Sequence, residues 1–167
     1  SYDRNLISSS KEEIASMVDI TDSLLFLSEN NELKEKEKIN TLELLEKYLW
    51  NDLKINNKES FIINWNKNLI DRLLKNLIEN SRKFSKKDEN IGIEINKNNL
   101  IILNTFEWSI SKNDLDHLLD TFYKVDNSRW STWYWLWLSI VSKICTLHNL
   151  KINISIENNK FIVSISN

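Results

Sequence analysis

Apolar residues recur at helical spacing in several segments of the chain. The clearest pattern predicts a helix from Asn68 to about Phe84. Its apolar stripe follows the i, i+3, i+4, i+7 rule and comprises Leu69, Ile70, Leu73, Leu74, Leu77 and Ile78. A second, mostly apolar stripe predicts a long first helix from about Lys11 to Leu33, and it comprises Ile14, Val18, Thr21, Leu24, Leu25 and Leu27.

Three shorter helices are predicted as well. The segment from Thr41 to Leu49 carries Leu42, Leu45 and Leu49 on one side. The segment "SKNDLDHLLDTF" begins at Ser111, whose hydroxyl suits a helix N-cap. A further apolar pattern predicts a helix over Leu138–His148. Between the first two helices, the stretch "NNELKEKEK" is typical of a polar linker with solvated charges.

Alternation of apolar and polar residues predicts the strands. "SFIIN" (Ser60–Asn64) is a short candidate. "IGIEIN" and "LIILN", joined by "KNN", indicate one antiparallel hairpin. "KINISIE" and "KFIVSIS" indicate a second hairpin that turns at Asn158 and Asn159. The element order predicts an α+β two-layer sandwich, in which helices cover one face of a mixed, mostly antiparallel sheet after a long first helix.

Composition narrows the classes of function. The 167 residues carry a formal net charge of −2, which gives no basic footprint for nucleic acid. The apolar runs are too short for a membrane span, so we expect no membrane segment here. The single cysteine, Cys145, cannot form an internal disulfide, which agrees with a reducing cytoplasm. Any membrane anchor is expected upstream of Ser1.

Three polar residues of the Asn68–Phe84 helix stand out. Asn76, Asn80 and Lys83 are spaced i, i+4 and i+7, which places them on one face, opposite the leucine stripe. Asparagine is a mediocre residue inside a helix, but its amide oxygen can ligate Mg²⁺, and lysine can neutralise phosphate. The pattern therefore predicts a neutral-to-positive ledge for a metal and phosphate. The alternative is a solvated helix face in an asparagine-rich chain.

Two later segments complete a motif set. "LLDTFYKVDNSR" (Leu118 to Arg129) ends a helix in aromatic and basic residues, and "WYWLWLSIV" follows at Trp133. With "NLIENSRKFS", these segments resemble the N box (N-L-x-x-N-A-x-K-Y/F-S/T), the F box and the second glycine box (G-x-G-L-G-L-A/S-I-V) of the histidine-kinase ATP-binding domain. That domain belongs to the ATPase superfamily that includes DNA gyrase. The three boxes occur in order and at the usual spacing, with tryptophan at every glycine of the last box.

The resemblance implies a fold, a domain division and ligands. It implies the Bergerat ATP-binding fold over residues 40–167, with residues 1–36 forming a linker and the second helix of a dimerisation hairpin. It implies ATP and Mg²⁺ as cofactors, with Asn80 as the metal ligand and Asn76 supporting the metal and phosphates. Lys83 and Lys124 would neutralise phosphate charge, and Phe84 would lie against adenine. The segment from Asp126 to Trp137 would form the lid over the triphosphate.

The full set of nucleotide-binding positions follows from the same resemblance. It comprises Asn76, Asn80, Lys83, Phe84, Asn104, Phe122, Lys124, Arg129, Ser131, Thr132, Trp133, Tyr134, Trp135, Leu136, Trp137 and Leu138. The first glycine box, D-x-G-x-G-I in the family, corresponds to "NTFEWSI", which is one residue too long. Asn104 is the better match for the residue that reads the adenine amino group, and Thr105 is the alternative.

The tryptophans admit three interpretations. The chain has seven tryptophans, one glycine and no proline, and four tryptophans lie between Trp130 and Trp137. Tryptophan lacks glycine's access to positive φ and fills the space a triphosphate needs. In the first interpretation, the indoles plug the site. In the second, they form an exposed patch for a partner or a membrane surface. In the third, these positions are natively glycine, through UGA codons translated with the wrong code. All seven lie where glycine would suit, including Trp50 after a helix, Trp65 in a turn and Trp108 in the first glycine box.

The resemblance also indicates partners and a mechanism. The phosphoacceptor motif H-E-L/I/F-R/K-S/T-P is absent, and we expect structural roles for His117 and His148. The γ-phosphate would pass to a histidine outside this chain and then to a response-regulator receiver domain. The N-terminal helix implies a homodimer and argues against an anti-sigma-type protein kinase. The expected location is cytoplasmic. The alternative from another class is a catalytically dead interaction module with the same fold.

Overall fold

The structure is a computed structural model that describes residues 2–29, 36–48, 52–59, 61–86, 89–105, 110–120 and 133–167. Its helices are α1 (Tyr2–Ser28), α2 (Thr41–Glu46), α3 (Lys67–Phe84), α4 (Lys112–His117) and α5 (Trp133–Leu147). Its strands are β1 (Glu37–Asn40), β2 (Leu53–Lys58), β3 (Ile62–Trp65), β4 (Ile91–Ile95), β5 (Asn99–Thr105), β6 (Lys151–Glu157) and β7 (Lys160–Ser166).

The main sheet has five strands in the order β2-β4-β5-β7-β6. The pairs β4–β5, β5–β7 and β6–β7 are antiparallel, and β2–β4 is parallel. Alternate residues of β5 and β7, including Ile102 and Val163, are buried in a core that also contains residues of α3 and α5. The α+β class, with helices on one face of a mixed, mostly antiparallel sheet, is therefore confirmed.

Helix α3 and the two hairpins agree closely with the sequence predictions. Asn66 caps α3, since its side chain accepts a hydrogen bond from the Leu69 backbone N–H. The final hairpin turns at Asn158 and Asn159, which have φ of 49° and 61°. Positive φ at both central residues is typical of the two-residue hairpin turn whose twist matches that of the strands. Asparagine tolerates positive φ. Ser111 caps α4 as predicted, by accepting from the Asp114 N–H.

Several predicted boundaries were wrong. Helix α1 spans Tyr2–Ser28 rather than 11–33, and α2 ends at Glu46 instead of Leu49. Strand β1 was not predicted and begins at the last two residues of the segment predicted as a linker, and β2 was not predicted either. Both strands are short and mostly polar, so their own sequences give little signal. They form because β1 pairs with β3 and β2 pairs with β4.

Helix α5 departs most from the prediction. It begins at Trp133 instead of Leu138, so the three tryptophans of the glycine-box segment, Trp133, Trp135 and Trp137, are helical. Tryptophan has an ordinary helix propensity, whereas glycine costs about 1 kcal/mol relative to alanine. The residues as written therefore extend the helix through a segment that the glycine-box pattern makes a loop. At the other end, Asn149 has φ 57°, the left-handed conformation that commonly ends a helix.

The one glycine of the chain is at a position where a side chain would require Leu103 to move. Gly92 on β4 pairs directly with Leu103 on β5. A Cβ built on Gly92 would lie 2.7 Å from Cδ1 of Leu103 and 2.9 Å from its Cγ.

In the described part of the chain, no helix is long and apolar enough to cross a bilayer.

Candidate functional site

The candidate site is a cavity of about 590 Å³ between α1, α3 and α5. Asn76, Asn80 and Lys83 of α3 line it, as the sequence predicted, together with Leu136 and Trp137 of α5. Five of the sixteen predicted nucleotide-binding residues therefore line the same cavity. The spacing along α3 places the three polar residues together, and the packing of α5 on α3 adds the other two.

Asn80 is the most unusual group in this cavity. The residue is 3% exposed, and its Oδ1 has no hydrogen-bond partner among the described residues. A buried polar atom without a partner costs roughly 1–3 kcal/mol. The prediction that Asn80 shares a purely polar face opposite the leucine stripe was therefore incomplete, because Asn80 is buried with the core side of α3. An amide oxygen held this way is suited to accept a cation or a donor from a ligand.

Asn76 and Lys83, the polar neighbours of Asn80 on α3, have contacts of a different kind. The Nδ2 of Asn76 donates to the Arg72 carbonyl oxygen at 2.7 Å, so the bond uses the amide nitrogen and leaves the oxygen out of it. Lys83 is exposed, and its Nζ lies 5.7 Å from the Phe84 ring centroid. Both residues line the cavity and can contact a ligand there.

The charge of the cavity differs from the predicted neutral-to-positive ledge. Arg72, Lys75 and Lys83 face four carboxylates, of which Asp71 and Glu79 belong to α3 and two belong to α1. The two on α1 are Asp19 and Asp22. Sequence reasoning did not place them here because α1 reaches the cavity only through tertiary packing. Burial lowers the pKa of Arg72, while Asp22 and Glu29 act in the opposite direction.

The cavity is not a preformed carboxylate cage. Among the described residues, no group of three or more His, Cys, Asp or Glu side chains is arranged to hold a metal ion. Mg²⁺ commonly binds through one or two protein ligands and completes its shell with water and substrate phosphates. The donor set around Asn80 fits that second mode.

The other predicted site residues lie elsewhere. Asn104 is 3% exposed on β5 and lines a separate cavity of about 320 Å³ with Gly92 and Thr105. Both alternatives for adenine recognition, Asn104 and Thr105, therefore lie apart from the Asn80 cavity. Phe84 and Leu138 are core residues, 8% and 0% exposed.

The remaining predictions fall outside the description. Phe122, Lys124, Arg129, Ser131 and Thr132 lie outside the described residues, and so does most of the predicted lid. Only the backbone of Trp133, Tyr134 and Trp135 is described, as the first turn of α5. The other outlying tryptophans, Trp50, Trp108 and Trp130, also lie outside the described ranges.

Two tryptophans have described side chains, and both are buried. Trp137 is 9% exposed and lines the Asn80 cavity, so it does occupy the buried face of a helix. Trp65 is 7% exposed, is the last residue of β3 and packs edge-on against Phe61 at 5.8 Å between centroids. The predicted turn at Trp65 is wrong. An exposed aromatic patch does not describe these two residues.

The two histidines have structural contacts. His148 is 7% exposed; its Nδ1 is 2.8 Å from the Ile144 carbonyl oxygen, and its Nε2 accepts from the Asn66 N–H at 3.2 Å. This arrangement ties the end of α5 to the start of α3. Burial lowers the pKa of His148, and Lys36 lowers it further, against the effect of the Ile144 carbonyl. His117 pairs with Asp120 at 2.6 Å on the surface.

Comparison with solved structures identifies the architecture. The cytoplasmic segment of the histidine kinase QseC superimposes with a TM-score of 0.63 and 18% identity, over 92% of this chain and 93% of that one. The Acinetobacter baumannii histidine kinase AdeS gives 0.65 and 19%, over 94% and 79%. The fold is that of a histidine-kinase catalytic domain.

A mycobacterial structure extends the comparison. The sensor histidine kinase MprB superimposes with a TM-score of 0.65 and 15% identity, over 77% of this chain and 95% of that one. No protein-family model and no curated protein matches the sequence. The Asn80 cavity is lined by residues of α3, the helix that carries the N-box-like segment.

Proposed function

We propose that this chain is the ATP-binding catalytic domain of a two-component sensor histidine kinase. Residues 40–167 bind Mg-ATP, and residues 1–36 supply the second helix of a dimerisation hairpin and a linker. The γ-phosphate passes to a histidine outside this chain and then to a response-regulator receiver domain. The observation that carries the proposal is the buried, unpartnered Oδ1 of Asn80 on the wall of a polar cavity.

The residues around Asn80 fit a metal–phosphate ligand. The Asn80 oxygen is a hard ligand of the type Mg²⁺ takes, and the ligand would remove the cost of leaving that oxygen unpaired. Lys83 and Arg72 can neutralise phosphate oxygens, and Asn76 supports the same wall. Mg²⁺, when bound, neutralises charge on the phosphates during phosphoryl transfer. The protein's part is to position these groups relative to the phosphates.

The tryptophan segment requires a second element of the proposal. We infer that Trp130, Trp133, Trp135 and Trp137 stand at positions that are glycine in the native protein. Glycine would allow a loop whose backbone N–H groups cradle phosphates before the helix starts. Trp137 instead places an indole in the cavity that Asn80 lines. The packing of Trp65 against Phe61 gives no support for extending the inference to that position.

The exposed apolar residues of α1 support a homodimer through this helix. Ile7, Ile14, Met17, Val18 and Leu25 are 53–65% exposed. Several of these positions are separated by three, four or seven residues, so they form a stripe of the kind that packs in helical bundles. We propose a cytoplasmic location, as for the matched segment of QseC.

One observation favours a second candidate, a catalytically dead interaction module. Trp137 is 9% exposed and lines the cavity, so the chain as written has an indole where the triphosphate is proposed to bind. A dead module would signal through α1 and partner contacts alone.

A titration separates the two candidates. Isothermal titration of Mg-ATP would compare the chain as written with a variant carrying glycine at positions 130, 133, 135 and 137, called the four-glycine variant below. The kinase proposal predicts Mg²⁺-dependent binding by the four-glycine variant and binding at least about 100-fold weaker, or roughly 3 kcal/mol, by the chain as written. Absence of binding by the four-glycine variant would favour the dead module. Tight binding by the chain as written would refute the steric argument.

A further inference from the structure

Strand β6 (Lys151–Glu157) lies at one edge of the main sheet, where β7 is its only paired strand in the described part of the chain. Glu157 and Lys160 close the hairpin of β6 and β7. The closing pair of a two-residue turn is hydrogen-bonded, and hydrogen-bonded pairs alternate with non-hydrogen-bonded ones from there. The remaining residues of β6, Ile152, Ile154 and Ile156, therefore direct their backbone N–H and C=O groups away from β7, toward the open edge.

The side chains of these three isoleucines are incompletely buried. They pack against the hydrophobic core, but each of them remains partly exposed. Strands β5 and β7 alternate between buried and half-buried residues, whereas β6 contains no fully buried residue. A strand added at this edge would remove apolar surface from water and would provide hydrogen-bond partners for the outward backbone groups.

The opposite edge strand, β2, is protected against such pairing, whereas β6 is not. The ladder between β2 and β4 contains a register shift between Asn56 and Lys58, and Lys54 lies within the strand. Bulges and lysines on an edge strand are devices by which natural sheets prevent edge-to-edge pairing. Strand β6 pairs regularly over all seven residues, and its charged residues, Lys151 and Glu157, lie only at its two ends.

The sequence of β6 is complementary to itself in the antiparallel direction. When a second β6 is placed about a two-fold axis at Ile154, isoleucine lies opposite isoleucine and the small polar residues lie opposite each other. In the same register, Lys151 of each copy lies opposite Glu157 of the other, which gives two pairs of opposite charge. A shift of two residues in either direction breaks both charged pairs, and a shift of one residue turns the isoleucines to the wrong face.

We propose that β6 is a homodimer interface, in which the β6 strands of two copies pair antiparallel about Ile154 and join their sheets. The outward backbone groups of the isoleucines form the new ladder. Lys151 and Glu157 form its non-hydrogen-bonded pairs, in which side chains lie closest together. Each copy presents the same strand, so the interface is isologous and closes on itself.

This interface is separate from the homodimer proposed through α1, and it does not depend on nucleotide binding by the Asn80 cavity. A single pair of strands buries little surface compared with a standard protein interface. We therefore expect a weak dimer, with a dissociation constant above about 1 µM.

Hydrogen exchange resolved to single amides tests the pairing in the full chain as written. Labelling is carried out at protein concentrations from about 0.1 µM to about 1 mM, which span the expected dissociation constant. The amides of Ile152, Ile154 and Ile156 should exchange at least about tenfold more slowly at the highest concentration than at the lowest. The amides of Asn153 and Ser155, which face β7, should be protected already at the lowest concentration and thus report an intact hairpin.

Two results of this experiment would overturn the proposal. Outward amides that remain unprotected at the highest concentration would show that no second copy pairs with β6. Outward amides protected equally at all concentrations would assign the edge to a segment of the same chain instead.

Charge reversal tests the register of the proposed pairing. Lys151→Glu replaces both attractive pairs by repulsive ones, because the two-fold axis repeats the change. The protein concentration that gives half of the maximal protection should then rise at least about tenfold, and Glu157→Lys should have the same effect. An equimolar mixture of the two single variants restores opposite charges at both pairs, so it should return to within about threefold of the unsubstituted chain. Lys54→Glu makes the same charge change on β2 and should have no effect.

The variants also separate the pairing from a loss of folding. Glu157→Lys changes the residue opposite Lys160, whereas Lys151 lies opposite Ser166, so Lys151→Glu is the less disruptive of the two within the hairpin. Protection of the Asn153 and Ser155 amides shows in each variant whether the hairpin is intact. An intact Lys151→Glu variant that pairs as well as the unsubstituted chain would overturn the proposal. A mixture of intact single variants that pairs no better than either alone would likewise overturn it.

Discussion

Asn80 of α3 and Trp137 of α5 line the same cavity, although one offers an unpaired amide oxygen and the other a large indole ring. A polar atom without a partner destabilises the fold, so its presence is explained better by a ligand than by packing. The indole takes space that such a ligand needs. Asn80 is therefore explained by a functional site, whereas Trp137 is explained by the filling of a cavity.

The first prediction concerns the stability cost of Asn80. Asn80→Ala should change the free energy of unfolding by less than about 0.5 kcal/mol, because the lost packing is offset by removal of an unsatisfied buried oxygen. Leu77→Ala, one turn earlier on α3 and 2% exposed, should cost about 3 kcal/mol. Urea denaturation of both variants gives the comparison. A loss above about 2 kcal/mol for Asn80→Ala would make Asn80 a structural residue.

The second prediction concerns the start of α5. In the four-glycine variant, the helix should begin near Leu138, because each glycine costs about 1 kcal/mol relative to alanine inside a helix. Exchange of amides 134–139 should accelerate strongly, while amides 141–147, buried against the sheet and α3, keep their protection. Hydrogen exchange with peptide-level resolution measures both regions. Unchanged protection of residues 134–139 would show that the helix start does not depend on the tryptophans.

The third prediction follows from the hydrogen bond between Asn66 and His148. The bond requires an unprotonated Nε2, and burial lowers the pKa of His148 below its usual value near 6.5. The unfolded chain then binds this proton more readily. The stabilising contribution is complete above about pH 6.5 and decreases as the pH falls from there to the lowered pKa of the folded state, below which it levels off.

The measurement is the free energy of unfolding between about pH 7.5 and 5.5. The chain as written should lose stability over this range, and His148→Gln should show a smaller slope. His117→Gln, which removes an exposed histidine paired with Asp120, serves as the matched control. An identical slope in His148→Gln would mean that another group causes the pH dependence.

The fourth prediction concerns the attachment of β2 to α3. Arg82 binds both carboxylate oxygens of Asp52, at 2.6 Å and 3.2 Å, and the Tyr48 carbonyl oxygen at 2.9 Å. These hydrogen bonds from Arg82 lower the pKa of Asp52. Because the pair is partly exposed, Arg82→Ala should cost about 1–2 kcal/mol rather than the full value for buried charges.

A second ion pair on the same helix provides the control for Arg82. Lys75 and Glu79 are 3.9 Å apart and more than half exposed, so Lys75→Ala should change stability by less than about 0.5 kcal/mol. Thermal or urea unfolding compares the two variants. Equal effects would mean that the Arg82 contacts contribute no more than a surface pair.

The sequence predicted those elements whose signal is local. Helix α3 carries a complete apolar stripe, and the hairpin of β6 and β7 has alternation plus an Asn158–Asn159 turn. Strands β1 and β2 were missed because "EKIN" and "LKINNK" contain few apolar residues and depend on pairing with distant strands. The start of α5 was misplaced because the apolar pattern was followed only from Leu138, whereas the helix already begins at Trp133.

In the candidate site, too, local spacing predicted some features, and tertiary packing decided the rest. The spacing of Asn76, Asn80 and Lys83 was enough to place them together on one cavity wall. Spacing could not show that Asn80 is buried, because burial depends on how α5 packs on α3. Nor could it show that Asp19 and Asp22 reach the cavity, since their position depends on contacts between α1 and helices more than 40 residues away, such as Arg72 with the Asp22 backbone.

The most direct test of the central claim, that the tryptophans stand at the glycines of a phosphate-binding loop, is peptide mass spectrometry of the protein isolated from its natural source. The tryptic peptide of residues 130–143, between Arg129 and the cleavage after Lys143, covers all four positions. We predict glycine at 130, 133, 135 and 137. Tryptophan at these positions would contradict the claim and would leave a histidine-kinase fold with a plugged cavity.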